Sequence, residues 1–391
     1  MISSRFSVFP ILAFLIVSHW TEVRADEFNH AFNEGGFAYP IHPPQIAFPR
    51  SHGSHPEFQI EWWYITGHLF AEIDGKRYGF QATFFRNAGS AEDTDSVRNR
   101  SAAFLEHSQI YLAHMALVDV ETGKFYHQER IHRGGWNAGA STTTLDVFNG
   151  NWSLKANQFD DHGDPAVMDL VGSIYSDVHM ELALKPGKSR VLFGKDGVSK
   201  KGPEPDAASY YITFTRLNVS GLVTIEGQPI KVTGTAWMDH EISSNQLDDR
   251  QVGWDWVQMQ LDDGTEVMAY RLRQRDGSTD PFSFFNWIDE DGKVTQVGPD
   301  SFTWDGQGEW TSPDTGGTYP IAPVLTVTHP ETGKTLQYFV RPLVQKQEIL
   351  GELIGISYWE GSINIENAEG EKIGIGYLEL TGYAQDLSER L

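Results

Sequence analysis

The 391-residue chain has no cysteine. This excludes disulfides, thiolate nucleophiles, and Cys-ligated zinc or iron–sulfur sites. Positive charge is also scarce, with 30 Lys+Arg against 53 Asp+Glu and a formal net charge of −23. Nucleic-acid partners need clustered cations and are excluded on that balance, and so is docking on anionic headgroups. The one long apolar run, Phe6 to Val17, is too short to span a bilayer comfortably, so no stable membrane insertion is expected. There is no Gly-x-Ser-x-Gly elbow, P-loop or His-Glu-x-x-His helix, and hence no cofactor or metal is expected from motifs.

Hydrophobic residues make up 40% and aromatics 13% of the chain, enough for packed cores, and the length suggests two domains. The first 25 residues read as a leader. Arg5 supplies a positive n-region, Phe6–Val17 the apolar stretch, and Val23-Arg24-Ala25 a small-residue cleavage site near Ala25. No cysteine follows, so lipoprotein anchoring is excluded, and a periplasmic or secreted localisation is expected.

Downstream of residue 25 helical periodicity is almost absent. Apolar residues alternate in short runs broken by Asp-Gly, Thr-Gly and Glu-Gly pairs, the pattern of antiparallel strands. Hairpins are expected to turn at Asp74-Gly75, Glu121-Thr-Gly123, Asp263-Gly264, Asp291-Gly292 and Glu331-Thr-Gly333. The fold class is all-β, a sandwich or barrel.

Gly221, Ile225, Glu226, Gly234, Trp237 and Asp239 recur 140 positions later as Gly361, Ile365, Glu366, Gly374, Tyr377 and Glu379. Each copy lies downstream of a tryptophan-led hairpin, opened by Glu61-Trp62-Trp63 in the first case and Trp254-Asp255-Trp256 in the second. Two related β domains are expected, 26–245 and 246–391, meeting in the polar stretch Ser243–Arg250. Polar loops are expected at Ala88–Asn99 and Gly194–Ala207.

The densest chemistry is Trp237-Met-Asp239-His240-Glu241. On a strand, Trp237, Asp239 and Glu241 share one face and His240 takes the other. Burial beside Trp237 would raise the pKa of Asp239 and keep it ready to donate a proton. A structural role bonding the inter-domain turn is the alternative. A second cluster holds Glu61, Trp62, Trp63 and Tyr64. Glu61 and Trp63 share a face opposite Trp62 and Tyr64, and the tryptophans suit either core packing or the wall of an apolar cavity. Trp254 and Trp256 share a face opposite Asp255. Arg86 ends a strand, where solvent exposure is the plainer reading and pairing with Glu61 or Asp239 the other. His114, in an apolar strand, reads as a satisfied core histidine. Asp160-Asp-His-Gly-Asp164 lacks the spacing of a calcium loop, and His52, His55 and Glu57 lack a zinc motif.

Glu61-Trp-Trp-Tyr-Ile-Thr-Gly67, Tyr78-Gly-Phe-Gln-Ala-Thr-Phe-Phe-Arg86, Ala236-Trp-Met-Asp-His-Glu241, Gly253-Trp-Asp-Trp256 and Gly376-Tyr-Leu-Glu-Leu-Thr-Gly382 resemble the AttH/CrtC family, in its "predicted secreted hydrolase" branch. The resemblance spans nearly the whole chain after the leader. It implies two lipocalin-like antiparallel β-barrels in tandem, with carotenoid 1,2-hydratases and pericyclases among the relatives and an ABC transport system associated with AttH. It also implies that Asp239 is the acid, that Trp237 takes the place of a tyrosine, and that His240 is the nearby histidine. The chain departs from the hydratases near Ser209-Tyr210-Tyr211, which lacks their His-x-Trp pair, and at Glu241, where they tend to have glycine. The expectation is therefore a secreted enzyme that adds water to, or hydrolyses, an apolar isoprenoid- or lipid-like substrate. Asp239 would initiate the reaction, and His240 or Glu241 would activate water. Trp237, Trp254, Trp256, Trp62, Trp63, Tyr64, Glu61 and Arg86 would line or support the site. A lipocalin-like carrier of an apolar ligand, accessory to ABC transporter components, is the alternative.

Overall fold

The computed structural model describes residues 30–89, 109–353 and 355–387. The leader and most of the polar loop expected at 88–99 lie outside the described residues. Among the described residues the regular elements are β-strands and the short 3-10 turns Arg50–His52 and Pro299–Ser301.

The strands form two nearly closed antiparallel barrels in tandem. The first sheet runs, neighbour to neighbour, through Phe125–Arg133, Gln109–Asp119, Arg77–Ala88, Ile60–Ala71, Gln228–Ser243, Ala208–Ile225, Val178–Pro186, Pro165–Ile174, Trp152–Phe159, Asp146–Asn149 and Ala138–Ala140. Its ends approach at the Gly135–Ala138 bridge, where Asn149 Nδ2 donates to the Tyr111 carbonyl at 3.1 Å. The second sheet runs through Val294–Val297, Phe284–Ile288, Glu266–Gln274, Gln251–Leu261, Lys372–Leu380, Tyr358–Glu366, Thr335–Pro342, Val324–Thr328 and Phe302–Asp305. All five expected turn glycines, Gly75, Gly123, Gly264, Gly292 and Gly333, have φ between +66° and +88°, a conformation in which a side chain is strained.

The strands of the sequence repeat occupy matching places. In the first barrel the Trp-led strand Ile60–Ala71 lies between Arg77–Ala88 and Gln228–Ser243, and in the second Gln251–Leu261 lies between Glu266–Gln274 and Lys372–Leu380. Trp63, Ile65, Leu69, Ala236 and Met238 fill the first barrel, and Val257, Met259, Trp359, Leu378 and Leu380 the second.

The outward face of these same strands is also buried, which simple alternation does not anticipate. It packs against the other barrel through a cluster containing Tyr64, Phe193, Tyr211, Trp237, Trp256, Tyr270 and Tyr377. Polar groups pin the contact. His68 Nε2 donates to the Gly376 carbonyl at 2.8 Å. Gln260 Nε2 donates to the Thr215 and Ala236 carbonyls at 2.8 and 2.9 Å. Buried Glu266 is held by Lys188 at 2.7 Å and Arg216 at 2.6 Å. At Gly79 a Cβ would sit 2.6 Å from the Tyr377 hydroxyl and 2.7 Å from Ser362 Cβ, so this close approach requires glycine.

Candidate active site between the barrels

Neither barrel holds the cavity. It lies between them, a space of about 540 Å³ walled by the outward faces of strands from both. Period-2 alternation fixes which residues arrive there. Ile60, Trp62 and Tyr64 come from one strand, Asp239 and Glu241 from its neighbour, Phe85, Leu112 and His114 from the next two strands on its other side, and Trp254, Trp256, Tyr358 and Glu379 from the second barrel.

Asp239 is 2% exposed. Thr213 Oγ1 and Trp237 Nε1 each donate to its Oδ1 at 2.7 Å, and the Tyr211 hydroxyl is 2.7 Å from Oδ2. No cation pairs with it among the described residues. Burial pushes its pKa up to about 7, with Glu241 adding to the rise and the three hydrogen bonds opposing it. Glu241 is anchored differently, by Lys201 Nζ at 3.1 Å and by the Ser209 hydroxyl. Lys201 also lies over the Tyr211 and Tyr270 rings.

Trp237 does not line the cavity. It is fully buried, stacked on Phe193 and edge-on to Trp256, and presents its N–H to Asp239, so it orients the acid instead of offering a π-face to substrate. Trp62, Trp254 and Trp256 are the indoles at the wall. Tyr211 occupies the strand where the His-x-Trp pair is missing, and its hydroxyl accepts from Trp256 Nε1 at 3.2 Å.

His240, Glu61 and Trp63 lie across the sheet, inside the first barrel. His240 stacks on Trp63 and its Nε2 donates to Glu61 Oε1 at 2.9 Å. His55 Nδ1 donates to the same oxygen at 2.9 Å, and Ser54 Oγ, the His55 amide and Arg86 Nε donate to Oε2 at 2.9, 2.9 and 3.0 Å. Burial would raise the Glu61 pKa, but the donors His240 and His55 and the Arg86 charge hold it well below the usual carboxylate range. Burial keeps His240 neutral, with its pKa lowered to about 4. His240 therefore does not face the cavity from which water would attack. Arg86 is fully buried, not an exposed strand end. It touches the cavity edge, but its guanidinium is committed to Glu61, Gln109 and the His55 and Phe58 carbonyls.

His55, Glu61 and His240 place ligand atoms within 4.8 Å of one another. Every Glu61 oxygen is already occupied, and Arg86 balances the charge, so the set reads as a hydrogen-bonded hub.

Four groups at or behind the cavity wall were given no role in the site from the sequence: His114, Tyr358 and Glu379, which line it, and Glu360, which stands beside Glu379. His114 Nδ1 accepts from the Tyr358 hydroxyl at 2.7 Å while its Nε2 donates to Glu129 Oε1 at 3.2 Å, a chain able to pass a proton from the cavity to a carboxylate. Glu379 receives Trp254 Nε1 on Oε2 at 2.7 Å. Glu360 receives the Tyr64 hydroxyl on Oε1 at 2.8 Å. The signal for Glu379 was present in the repeat, as the partner of Asp239. Nothing in the sequence marked Tyr358 or Glu360.

The family model for AttH-like proteins matches residues 39–383. The chain is 33% identical to the AttH protein of Nitrosomonas europaea, covering 89% of this chain and 100% of that one with a TM-score of 0.76. The structure of kievitone hydratase from Nectria haematococca shares the fold at 13% identity, covering 91% of this chain and 99% of that one, TM-score 0.65. CghA with bound Sch210972 shares it at 12% identity, 90% and 97% coverage, TM-score 0.54. No curated protein matches the chain in sequence.

Proposed function

The chain belongs to the AttH-like family, and from that premise we propose that it adds water to, or hydrolyses with water, an apolar unsaturated compound by acid catalysis from Asp239. The observation that carries this reading is a buried carboxyl group, without a cationic partner among the described residues, on the wall of an aromatic cavity.

A carboxyl group with a pKa of about 7 keeps a large neutral fraction at neutral pH and can protonate an electron-rich double bond. The carbon left electron-poor then lies among the faces of Trp62, Trp254 and Trp256, which attract positive charge. Water captures the cation and gives the alcohol. Trp237, Thr213 and Tyr211 hold the acid in place. An isoprenoid or lipid-like chain suits walls made of Ile60, Phe85, Ile110, Leu112 and Leu387. Kievitone hydratase, by its name a hydratase on the same fold, supports the reaction class by analogy.

The test incubates wild type and Asp239→Asn with lipid extract of the source organism and follows bound and free compounds by mass spectrometry. A compound that gains one water, or is cleaved with uptake of one, only with wild type supports the proposal. The same apolar compound bound unchanged by both proteins overturns it in favour of a carrier.

A further inference from the structure

The sequence repeat places Glu379 in the second barrel where Asp239 stands in the first, and both side chains line the one cavity. The repeat is not symmetric in what faces each acid. Across from Asp239 in the strand register stands Thr213, which donates to it. Across from Glu379 stands Glu360, a second carboxyl group. Glu360 is buried, 1% exposed, and Glu379 is half-buried at the cavity wall.

Directly opposed residues of an antiparallel pair project from the same face with Cβ atoms about 5 Å apart. Two ionised carboxylates at that spacing repel, and here no cation pairs with either among the described residues. Lys201 is taken by Glu241. The groups around Glu379 are Trp254 and Trp256 from one neighbouring strand, Glu360 and Tyr358 from the other, Tyr64, Asp239 and Glu241 from the first barrel, and Tyr270. All are neutral or acidic. Glu360 Oε2 is buried without a hydrogen-bond partner, so nothing at that oxygen stabilises a negative charge.

We propose that Glu360 stays protonated beside Glu379 and that Glu379 is the base that accepts the proton of the attacking water, completing an acid–base pair with Asp239 across the cavity. This rests on the reading of Asp239 as the acid. Trp254 occupies Oε2 of Glu379, which leaves Oε1 as the oxygen open to the cavity. Asp239 gives its proton to one alkene carbon, and the π pair becomes the new C–H bond. A water lone pair then forms the C–O bond to the other carbon, and the released water proton goes to Glu379 Oε1. Return of that proton to Asp239 through cavity water resets both groups, for a net addition of one water. Glu360 keeps its proton throughout and, as a neutral neighbour, lets Glu379 ionise within reach of neutral pH. Burial and the nearby carboxylates act in that direction, pushing Glu379 up to about 7 and Glu360 well above the usual range.

Infrared titration of the carbonyl stretch of protonated carboxyl groups tests this without a substrate. Wild type is expected to show two groups titrating near neutrality and one that stays protonated. Asp239→Asn should remove one titrating signal, Glu379→Gln the other, and Glu360→Gln the persistent one. Glu379→Asp, which keeps a carboxyl group, should move its signal without abolishing it and guards against a variant that fails to fold. The dyad is overturned if Glu379→Gln leaves both titrating signals in place or if Glu360→Gln removes none. A missing Asp239 signal would instead overturn the reading of Asp239, so the two failures are told apart.

Discussion

Asp239→Asn is expected to inactivate the protein and stabilise it above neutral pH. The folded state holds Asp239 at a pKa of about 7 against an ordinary value of 3.8, so between these values the folded state binds a proton that the unfolded chain has released. Stability falls as pH rises through that window and levels off above it. A three-unit gap corresponds to ~4 kcal/mol in all, on the order of 3 kcal/mol of it between pH 5 and pH 8. Asparagine copies the neutral acid. Its oxygen can accept from Thr213 and Trp237 as Oδ1 does, and its amide can donate to the Tyr211 oxygen. The variant should therefore match wild type near pH 4 and exceed it at pH 8. Urea unfolding followed by tryptophan fluorescence at a series of pH values measures this directly, and the difference between the two proteins isolates Asp239 from Glu379. Parallel stability–pH curves for wild type and variant would refute the argument, since they would mean that Asp239 is ionised in the fold at all these pH values.

Four further outcomes are expected. Trp237→Phe removes one donor to Asp239 and should cost about 1 kcal/mol while moving the Asp239 infrared titration to higher pH; an unmoved titration would remove Trp237 as an orienting group. Arg86→Met leaves Glu61 buried without its cation and should lower stability by about 3–5 kcal/mol in urea unfolding; a small loss would mean that the hub reorganises around His55 and His240. Chelator treatment should leave the melting temperature unchanged, because the Glu61 oxygens are satisfied by protein donors; a fall would identify a metal in that hub. Trp256→Ala should weaken uptake of a solvatochromic apolar dye by roughly tenfold, in line with losing about 1–3 kcal/mol of aromatic burial, and an unchanged dye titration would place apolar binding elsewhere.

The fold was readable because turn chemistry and strand alternation agree. Every expected hairpin glycine adopts positive φ, and the odd–even split of Glu61, Trp62, Trp63 and Tyr64 predicts which two enter the barrel and which two leave it. The same split put His240 opposite Asp239. What alternation cannot supply is the fate of an outward face. That Trp62, Tyr64 and Asp239 are covered by a second barrel, and that the cavity belongs to the contact between barrels, depends on pairings more than a hundred residues apart, such as Tyr64 with Glu360. Arg86 looked like an exposed strand end because alternation does not show what covers a strand's end: Glu61 and Gln109 of the two flanking strands and the His55 and Phe58 carbonyls of the segment before Ile60 close around its guanidinium. His114 did prove buried and hydrogen-bonded, but one of its two partners is Tyr358 of the other barrel. Glu379 was legible as a repeat of Asp239 and only the structure gives that equivalence a shared cavity.

The central claim is that Asp239 protonates a carbon of a substrate that then takes up water. Incubating the source lipid extract with wild type and Asp239→Asn in oxygen-18 water, and separately in deuterium oxide, tests it most directly. The account predicts, with wild type alone, a compound carrying one oxygen-18 and, in the second solvent, one deuterium fixed on carbon. Bound compounds that acquire neither isotope with wild type would contradict it.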